Sequence, residues 1–259
     1  MPHIEATTVG HILEIKLNRP DKHNALSVEM YHDLGRAFAQ LDRDADLRVA
    51  LIHGEGKHFT SGIELDKWAP ILGSGKGFPV KDGEIDPFGI SGERHRKPVV
   101  IAVHGYCYTW GVELMLNSDV RVAAADTRFA MLEVKRGIYP CGGATMRLPD
   151  QAGWSNAMRY LLTGDTWTAE DSLRWGIVQE VVAPGEQYVK ARDLAERIAK
   201  GAPLGVQAVL KSARLARLDG ERAAAEVLFK DLMPILKSDD AREGVQSFLE
   251  RREANFKGR

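Results

Sequence analysis

Polar and apolar positions set out the first elements of this chain. From residue 11 to 17 they largely alternate (His11-Ile12-Leu13-Glu14-Ile15-Lys16-Leu17), a period near two that predicts a half-buried strand. Pro20 then forces a turn. The period lengthens after Ser27, a residue suited to cap a helix. Met30, Leu34, Phe38 and Leu41 recur at helical spacing, so a helix is predicted to about Arg43. Continuously apolar runs at 49–52 and 98–103 suit short strands covered on both faces. Glu113-Leu114-Met115-Leu116 predicts a buried helix, and 120–123 and 128–131 predict two more short strands. Strand alternating with helix predicts α/β layering. After about residue 184 the helical period dominates, over 186–200, 204–217, 220–236 and 239–253. The expected organisation is therefore a core over 1–183 that holds the site, followed by a helical region over 184–259. Residues 71–95 are rich in Gly and Pro, and read as a mobile surface loop near the site.

Composition narrows the role more than the fold. With 259 residues, 44% of them hydrophobic, the chain has material for a sizeable core. Its 35 basic and 36 acidic residues give a net charge of −1, which lends no support to nucleic-acid or membrane-surface binding. Cys107 and Cys141 lack the spacing of a disulfide framework or a metal site, which favours a reducing, cytoplasmic setting. Met1-Pro2-His3-Ile4-Glu5 is too polar and acidic to begin a signal peptide. No apolar run approaches the roughly 20 residues that span a bilayer.

The candidate chemistry centres on two acids. Glu113 follows Gly105-Tyr106-Cys107-Tyr108-Thr109-Trp110-Gly111-Val112, between an apolar strand and an apolar helix. Glu133 closes Phe129-Ala130-Met131-Leu132-Glu133. Two carboxyl groups facing one substrate divide the labour when one is ionised and activates water while the other delivers a proton. Such chemistry also needs backbone donors for a developing oxyanion. The turn Thr60-Ser61-Gly62-Ile63 offers them, since glycine lets the following N–H face a ligand. A lone glutamate in an apolar stretch is ordinarily a paired or surface residue; the pairing and the turn set these apart.

Three segments carry a family resemblance: Leu17-Asn18-Arg19-Pro20-Asp21-Lys22-His23-Asn24-Ala25-Leu26-Ser27, Phe59-Thr60-Ser61-Gly62-Ile63-Glu64-Leu65, and His104-Gly105-Tyr106 through to Glu113-Leu114. Phe129 to Glu133, Gly142-Gly143, Trp175-Gly176-Ile177-Val178 and Ala254-Asn255-Phe256-Lys257 extend it. The chain resembles the enoyl-CoA hydratase/isomerase (crotonase) superfamily along nearly its whole length.

The resemblance implies an α/β fold, a crotonase-like spiral of β-β-α units, with C-terminal helices that pack between subunits of a homotrimer or homohexamer. It implies an acyl-CoA substrate, with CoA part of that substrate, and no metal or other cofactor. Fatty acid metabolism is the expected setting. Carried over residue by residue, the thioester oxygen is held by the backbone N–H groups of Ile63 and Trp110, beside Ser61 and Gly62. Trp110 departs from the family's usual glycine, so its side chain is expected to narrow or redirect the acyl pocket. The hydratases carry glutamates matching Glu113 and Glu133. The implied reaction is syn hydration of a 2-trans-enoyl-CoA, with Glu113 activating water and Glu133 protonating the α-carbon. Lys22, Phe248 and Arg251 match positions that contact CoA, although loop charges are usually solvated and a helical Phe is usually core. Tyr106, Tyr108 and Trp110 either line the acyl pocket or are ordinary core aromatics. Cys141 reads as pocket-lining. It also occupies the place of the further acid of dienoyl-CoA isomerases, which argues against that activity.

The alternatives are an enoyl-CoA isomerase or another crotonase-type reaction on an unusual acyl-CoA, and a non-catalytic relative that binds acyl-CoA or RNA. Retention of both acids argues against the non-catalytic reading. Gly73-Ser74-Gly75-Lys76-Gly77 has the outline of a phosphate loop, but Pro70 and Gly77 stand where that motif needs Gly and Ser/Thr.

Overall fold

Two sheets of unequal size organise the chain, of which the computed structural model describes residues 2–259. Strands β1 (Ile4–Val9) and β2 (Ile12–Leu17) pair as an antiparallel hairpin, with Val9 opposite Ile12 and Gly10 supplying a left-handed turn residue (φ +59°). β3 (Val49–Gly54), β4 (Val99–Val103), β6 (Val120–Ala124) and β9 (Glu180–Val182) continue the sheet in parallel, in the order β1-β2-β3-β4-β6-β9. β5 (Tyr106–Tyr108), β7 (Arg128–Ala130) and β8 (Thr166–Thr168) form the small sheet. The continuous apolar run of β4 is buried along its whole length, as a strand covered on both faces requires. The opening strand β1 has no counterpart in the sequence reading; four of its six residues are exposed, so it carries no sustained apolar signal.

The helices follow the same logic. In α1 (Val28–Arg43), Ser27 Oγ accepts from the Met30 N–H at 3.2 Å, and Met30, Leu34, Phe38 and Leu41 are buried. α2 (Leu65–Gly73) buries only Trp68 and contains Pro70, so its periodicity is faint. α3 is Trp110–Asn117, α4 Ala144–Ala152, α5 Trp154–Thr163 and α6 Ala169–Arg174. α7 (Gln187–Ala199) lays Ala191, Ala195 and Ala199 on one face of the main sheet, against Val49, Leu51, Val100, Ala102 and Val122. Alanine at every fourth position lets the helix approach the strands closely. α8 (Pro203–Asp219), α9 (Glu221–Leu236) and α10 (Asp239–Glu250) complete the chain and expose Val209, Leu228, Phe229, Leu236 and Leu249. Among the described residues, no helix is long and apolar enough to cross a membrane.

The expected spiral is visible in the order of elements. β3 leads to a bridge at Thr60 and then α2; β4 leads to β5 and then α3; β6 leads to β7 and then a 3-10 turn at Glu133–Arg136. Each unit places a strand in the main sheet, a short extended segment beside or in the small one, and then a helical start. Thr60 joins β5 through Thr60 N–H to Tyr106 O (2.8 Å) and Tyr108 N–H to Thr60 O (3.2 Å).

Residues 71–95 are not the simple surface loop expected. The first three complete α2, residues 74–77 and 81–83 stay exposed, and 86–88 fold inward. Asp86 is buried and accepts from the N–H groups of Phe88 (3.0 Å), Ile90 (2.8 Å) and Ser91 (2.9 Å) and from the Tyr31 hydroxyl (3.0 Å). Phe88 is buried, and Phe78 packs on Tyr31 with ring centres 5.7 Å apart. A segment without regular structure is held by one carboxylate and two aromatic rings.

Candidate active site

The three spiral units deliver their exits to one place. Ser61, Gly62 and Ile63 follow the Thr60 bridge, Thr109 and Trp110 follow β5, and Leu132 and Glu133 follow β7. All of them line one cavity of about 250 Å³, together with Glu113 and Cys141. The sequence reading treats these as separate motifs, and the fold gathers them.

Glu113 lies in the first turn of α3 and is buried. Its Oε1 accepts from the Gly142 N–H at 2.7 Å and the Ala144 N–H at 3.3 Å. A Cβ at Gly142 would fall 2.5 Å from Glu113 Oε2, so only glycine lets this backbone approach so closely. Burial, then repulsion from Glu133, pushes the Glu113 carboxyl up to about 8, against the pull of those amides and of Arg147. Glu133 is lifted to about 7, chiefly by burial, and its buried Oε2 finds no protein partner.

Two raised acids on one cavity titrate as a pair, and near neutral pH they share about one proton. Burial ranks Glu113 as the weaker acid, while hydrogen bonding ranks it as the seat of the charge. We place the charge on Glu113, because two fixed amides aim at one of its oxygens. We place the proton on Glu133, whose unpartnered oxygen has nothing to stabilise a charge.

The candidate oxyanion donors are arranged with equal economy. Neither the Ile63 nor the Trp110 backbone N–H donates to another protein group among the described residues. The Trp110 N–H is the first of α3, and first-turn amides point out of a helix with its positive dipole end. Gly62 has φ +122°, and a Cβ there would meet Thr109 Oγ1 at 2.9 Å. Thr109 itself has φ +49°, a strained conformation for a β-branched residue, immediately before the Trp110 amide.

The other expected site residues divide. The Trp110 ring forms part of the wall, 2% exposed, but its indole N–H is committed to the Gly62 carbonyl and its edge is held between Phe59 and Phe88. Tyr108 does not line the cavity. It shares a strand face with Tyr106, two residues away, and stacks on it at 4.6 Å, while Cys107 between them points into the core. Lys22 ends an exposed 3-10 turn outside the cavity, Phe248 is exposed on α10, and Arg251 follows that helix in a left-handed conformation; none of the three lines the cavity. Glu64 turns away to accept from Arg19 at 2.8 Å, which holds its carboxyl below the usual range.

Several contributors escape sequence reasoning. Trp68, Leu72, Phe78 and Phe88 wall the apolar part of the cavity, and Arg136 and Tyr139 line it too. They come from α2, the irregular segment and the turn after Glu133, where no periodic pattern marks a direction. Arg147 of α4 is buried and donates to the Phe88 carbonyl (2.6 Å), the Gly89 carbonyl (3.0 Å) and the Gly142 carbonyl (3.4 Å). An arginine a few residues after Gly142-Gly143 is the signal the sequence gives of it.

Known proteins resemble this chain along nearly its whole length. The family model described as enoyl-CoA hydratase/isomerase matches residues 7–259. The chain is 36% identical over 254 residues to an enoyl-CoA hydratase of Mycobacterium tuberculosis, covering 96% of this chain and 94% of that protein. It is likewise 36% identical over 265 residues to a carnitinyl-CoA dehydratase of Salmonella typhimurium, covering 99% and 98%. The crystal structure of a probable enoyl-CoA hydratase/isomerase from Mycobacterium abscessus superposes with a TM-score of 0.97 at 44% identity, over 100% of this chain and 99% of that one.

Proposed function

We propose that this chain, which belongs to the enoyl-CoA hydratase/isomerase family and has its crotonase fold, catalyses the reversible syn addition of water to a 2-trans-enoyl-CoA. The observation that carries the reading is the pair of raised acids on one cavity, Glu113 buried and Glu133 half-buried, opposite in their hydrogen bonding. Glu113, ionised, takes a proton from water as its oxygen adds to the β-carbon. The thioester oxygen gains charge and is held by the N–H groups of Ile63 and Trp110. Glu133 gives its proton to the α-carbon, and the 3-hydroxyacyl-CoA is complete. A lost oxyanion donor of this kind costs roughly 3 kcal/mol of barrier lowering.

Two relatives support the reaction class, since one is named a hydratase and the other a dehydratase, the same exchange of water in opposite directions. The mechanism draws on no metal or redox group, and CoA enters as part of the substrate. Lys22, Phe248 and Arg251 are proposed to meet the CoA moiety, the last two across a subunit interface of a trimer or hexamer. The exposed apolar residues of α8 to α10 support such an assembly.

The test is loss of the conjugated enoyl-thioester absorbance with short, medium and aromatic 2-enoyl-CoA substrates. Activity in the parent that falls roughly 10²–10⁴-fold in Glu113→Gln and Glu133→Gln establishes hydration and the two-acid assignment. Inactivity across the panel sinks it, and leaves isomerisation, another acyl group or a binding role.

A further inference from the structure

A trans peptide points its carbonyl and its N–H in opposite directions. The peptide joining Gly62 to Ile63 has its carbonyl held by two donors, the Leu26 N–H at 2.8 Å and the Trp110 indole Nε1–H. The Thr60 hydroxyl also lies 3.4 Å from this carbonyl, but its one proton goes to the nearer Asn24 O at 2.8 Å. The Ile63 N–H is thereby turned away from Leu26 and from the indole.

We infer that the Trp110 side chain is a positioning residue for the oxyanion hole: its indole fixes the peptide that carries one donor, while its own backbone N–H is the other. The inference rests on the oxyanion reading proposed above. Three observations support the clamp. Gly62, at φ +122°, has no Cβ to restrict its peptide, so an unheld carbonyl there reorients at low cost. The Leu26 N–H satisfies one lone pair of the Gly62 carbonyl and leaves the second for the indole. The bond is buried, with Trp110 2% exposed, so water does not compete for that lone pair. Glycine at position 110 would supply the same backbone amide and no indole. The large residue at this place is therefore not simply a plug in the acyl pocket, because it couples the two donors to each other.

The test separates the clamp from a merely structural Trp. Parent protein and Trp110→Phe are compared for the infrared carbonyl band of bound butanoyl-CoA and octanoyl-CoA, each labelled with carbon-13 at the thioester carbon, and for kcat and KM. The parent is expected to lower the band on binding, as two donors polarise the carbonyl. Trp110→Phe is expected to bind the thioester within about threefold of the parent, to lose at least half of that lowering, and to lose about tenfold in kcat with KM nearly unchanged. An undiminished band shift and kcat in a folded Trp110→Phe overturns the inference. Should Trp110→Phe fail to fold, site-specific β-(3-benzothienyl)alanine at position 110 keeps the bicyclic shape without the N–H, and must give the same loss. No binding, or no lowering, in the parent itself overturns the oxyanion reading and the clamp with it.

Discussion

Replacing Glu113 by glutamine removes a charge that the fold holds at a cost, and that cost has a definite dependence on pH. Burial and the neighbouring Glu133 lift the Glu113 carboxyl from 4.5 to about 8. In the unfolded chain the group titrates near its ordinary value. Between those two values the folded protein keeps a proton that the unfolded chain has released, so stability falls as pH rises. Each pH unit across the gap is worth about 1.4 kcal/mol, which sets an upper bound of roughly 5 kcal/mol above pH 8. Part of that climb belongs to the pair, because Glu133 is itself lifted to about 7. Glutamine is the neutral shape of the protonated acid, and its carbonyl still accepts from Gly142 and Ala144. Glu113→Gln is therefore expected to match the parent at pH 5 and to exceed it by about 2–5 kcal/mol at pH 9, roughly 5–15 °C in melting midpoint for a chain of this size. Thermal melts of parent, Glu113→Gln and Glu133→Gln across that range, at constant ionic strength, measure it directly. An equal difference at both ends, or one that shrinks as pH rises, refutes the claim that the fold raises the titration of the Glu113–Glu133 pair.

Three further outcomes follow from the same geometry. Gly62→Ala puts a side chain at φ +122° and 2.9 Å from Thr109 Oγ1; it is expected to cost about 1–3 kcal/mol in a denaturant melt and to reduce kcat more than KM, and unchanged kinetics would show that the turn has no part in catalysis. Gly142→Ala displaces the Glu113 carboxyl from its amide and should lower kcat about tenfold or more while acyl-CoA binding, read by calorimetry, stays within a few-fold. Cys141, exposed yet lining the cavity, has its thiol pushed up to about 11 by burial and then by the two glutamates, and Cys107 is fully buried; mass spectrometry after iodoacetamide at pH 7.5 should find both unmodified in the folded protein and both alkylated after unfolding.

The sequence carried much of this site because its chemistry sits on short motifs. Glu113, Glu133 and the Ser61-Gly62-Ile63 turn each lie within their own short motif, and the α1 cap at Ser27 and the β4 run are local signals that the structure repeats. What stayed illegible depends on contacts between distant segments. The cavity walls Phe78 and Phe88 lie in a segment whose order comes from Asp86 and Tyr31, fifty-five residues apart. The Trp110 indole reaches a carbonyl forty-eight residues earlier, so position 110 alone says nothing of its partner. Tyr108 stays open between pocket and core in the sequence for a local reason: on a three-residue strand the alternation has too few positions to say which face is inward. The exposed β1 shows the converse, a strand defined by its neighbour's hydrogen bonds rather than by its own pattern.

One guanidinium connects parts of the molecule that would otherwise answer to different demands. Arg147 grips the carbonyls of Phe88 and Gly89 with the same group that touches Gly142, and Gly142 supplies the nearer amide to Glu113. The apolar cavity wall at Phe88 and the carboxyl of Glu113 are thus rigged to a common strut. With an acyl group in the cavity as proposed, one that crowds Phe88 would pull on the strut, and the strain would reach Glu113 through three hydrogen bonds, Arg147 to Phe88 O, Arg147 to Gly142 O and Gly142 N–H to Glu113. Discrimination among acyl groups would then be written into turnover as well as affinity: a poorly fitting chain would bind and still find the proposed base out of line.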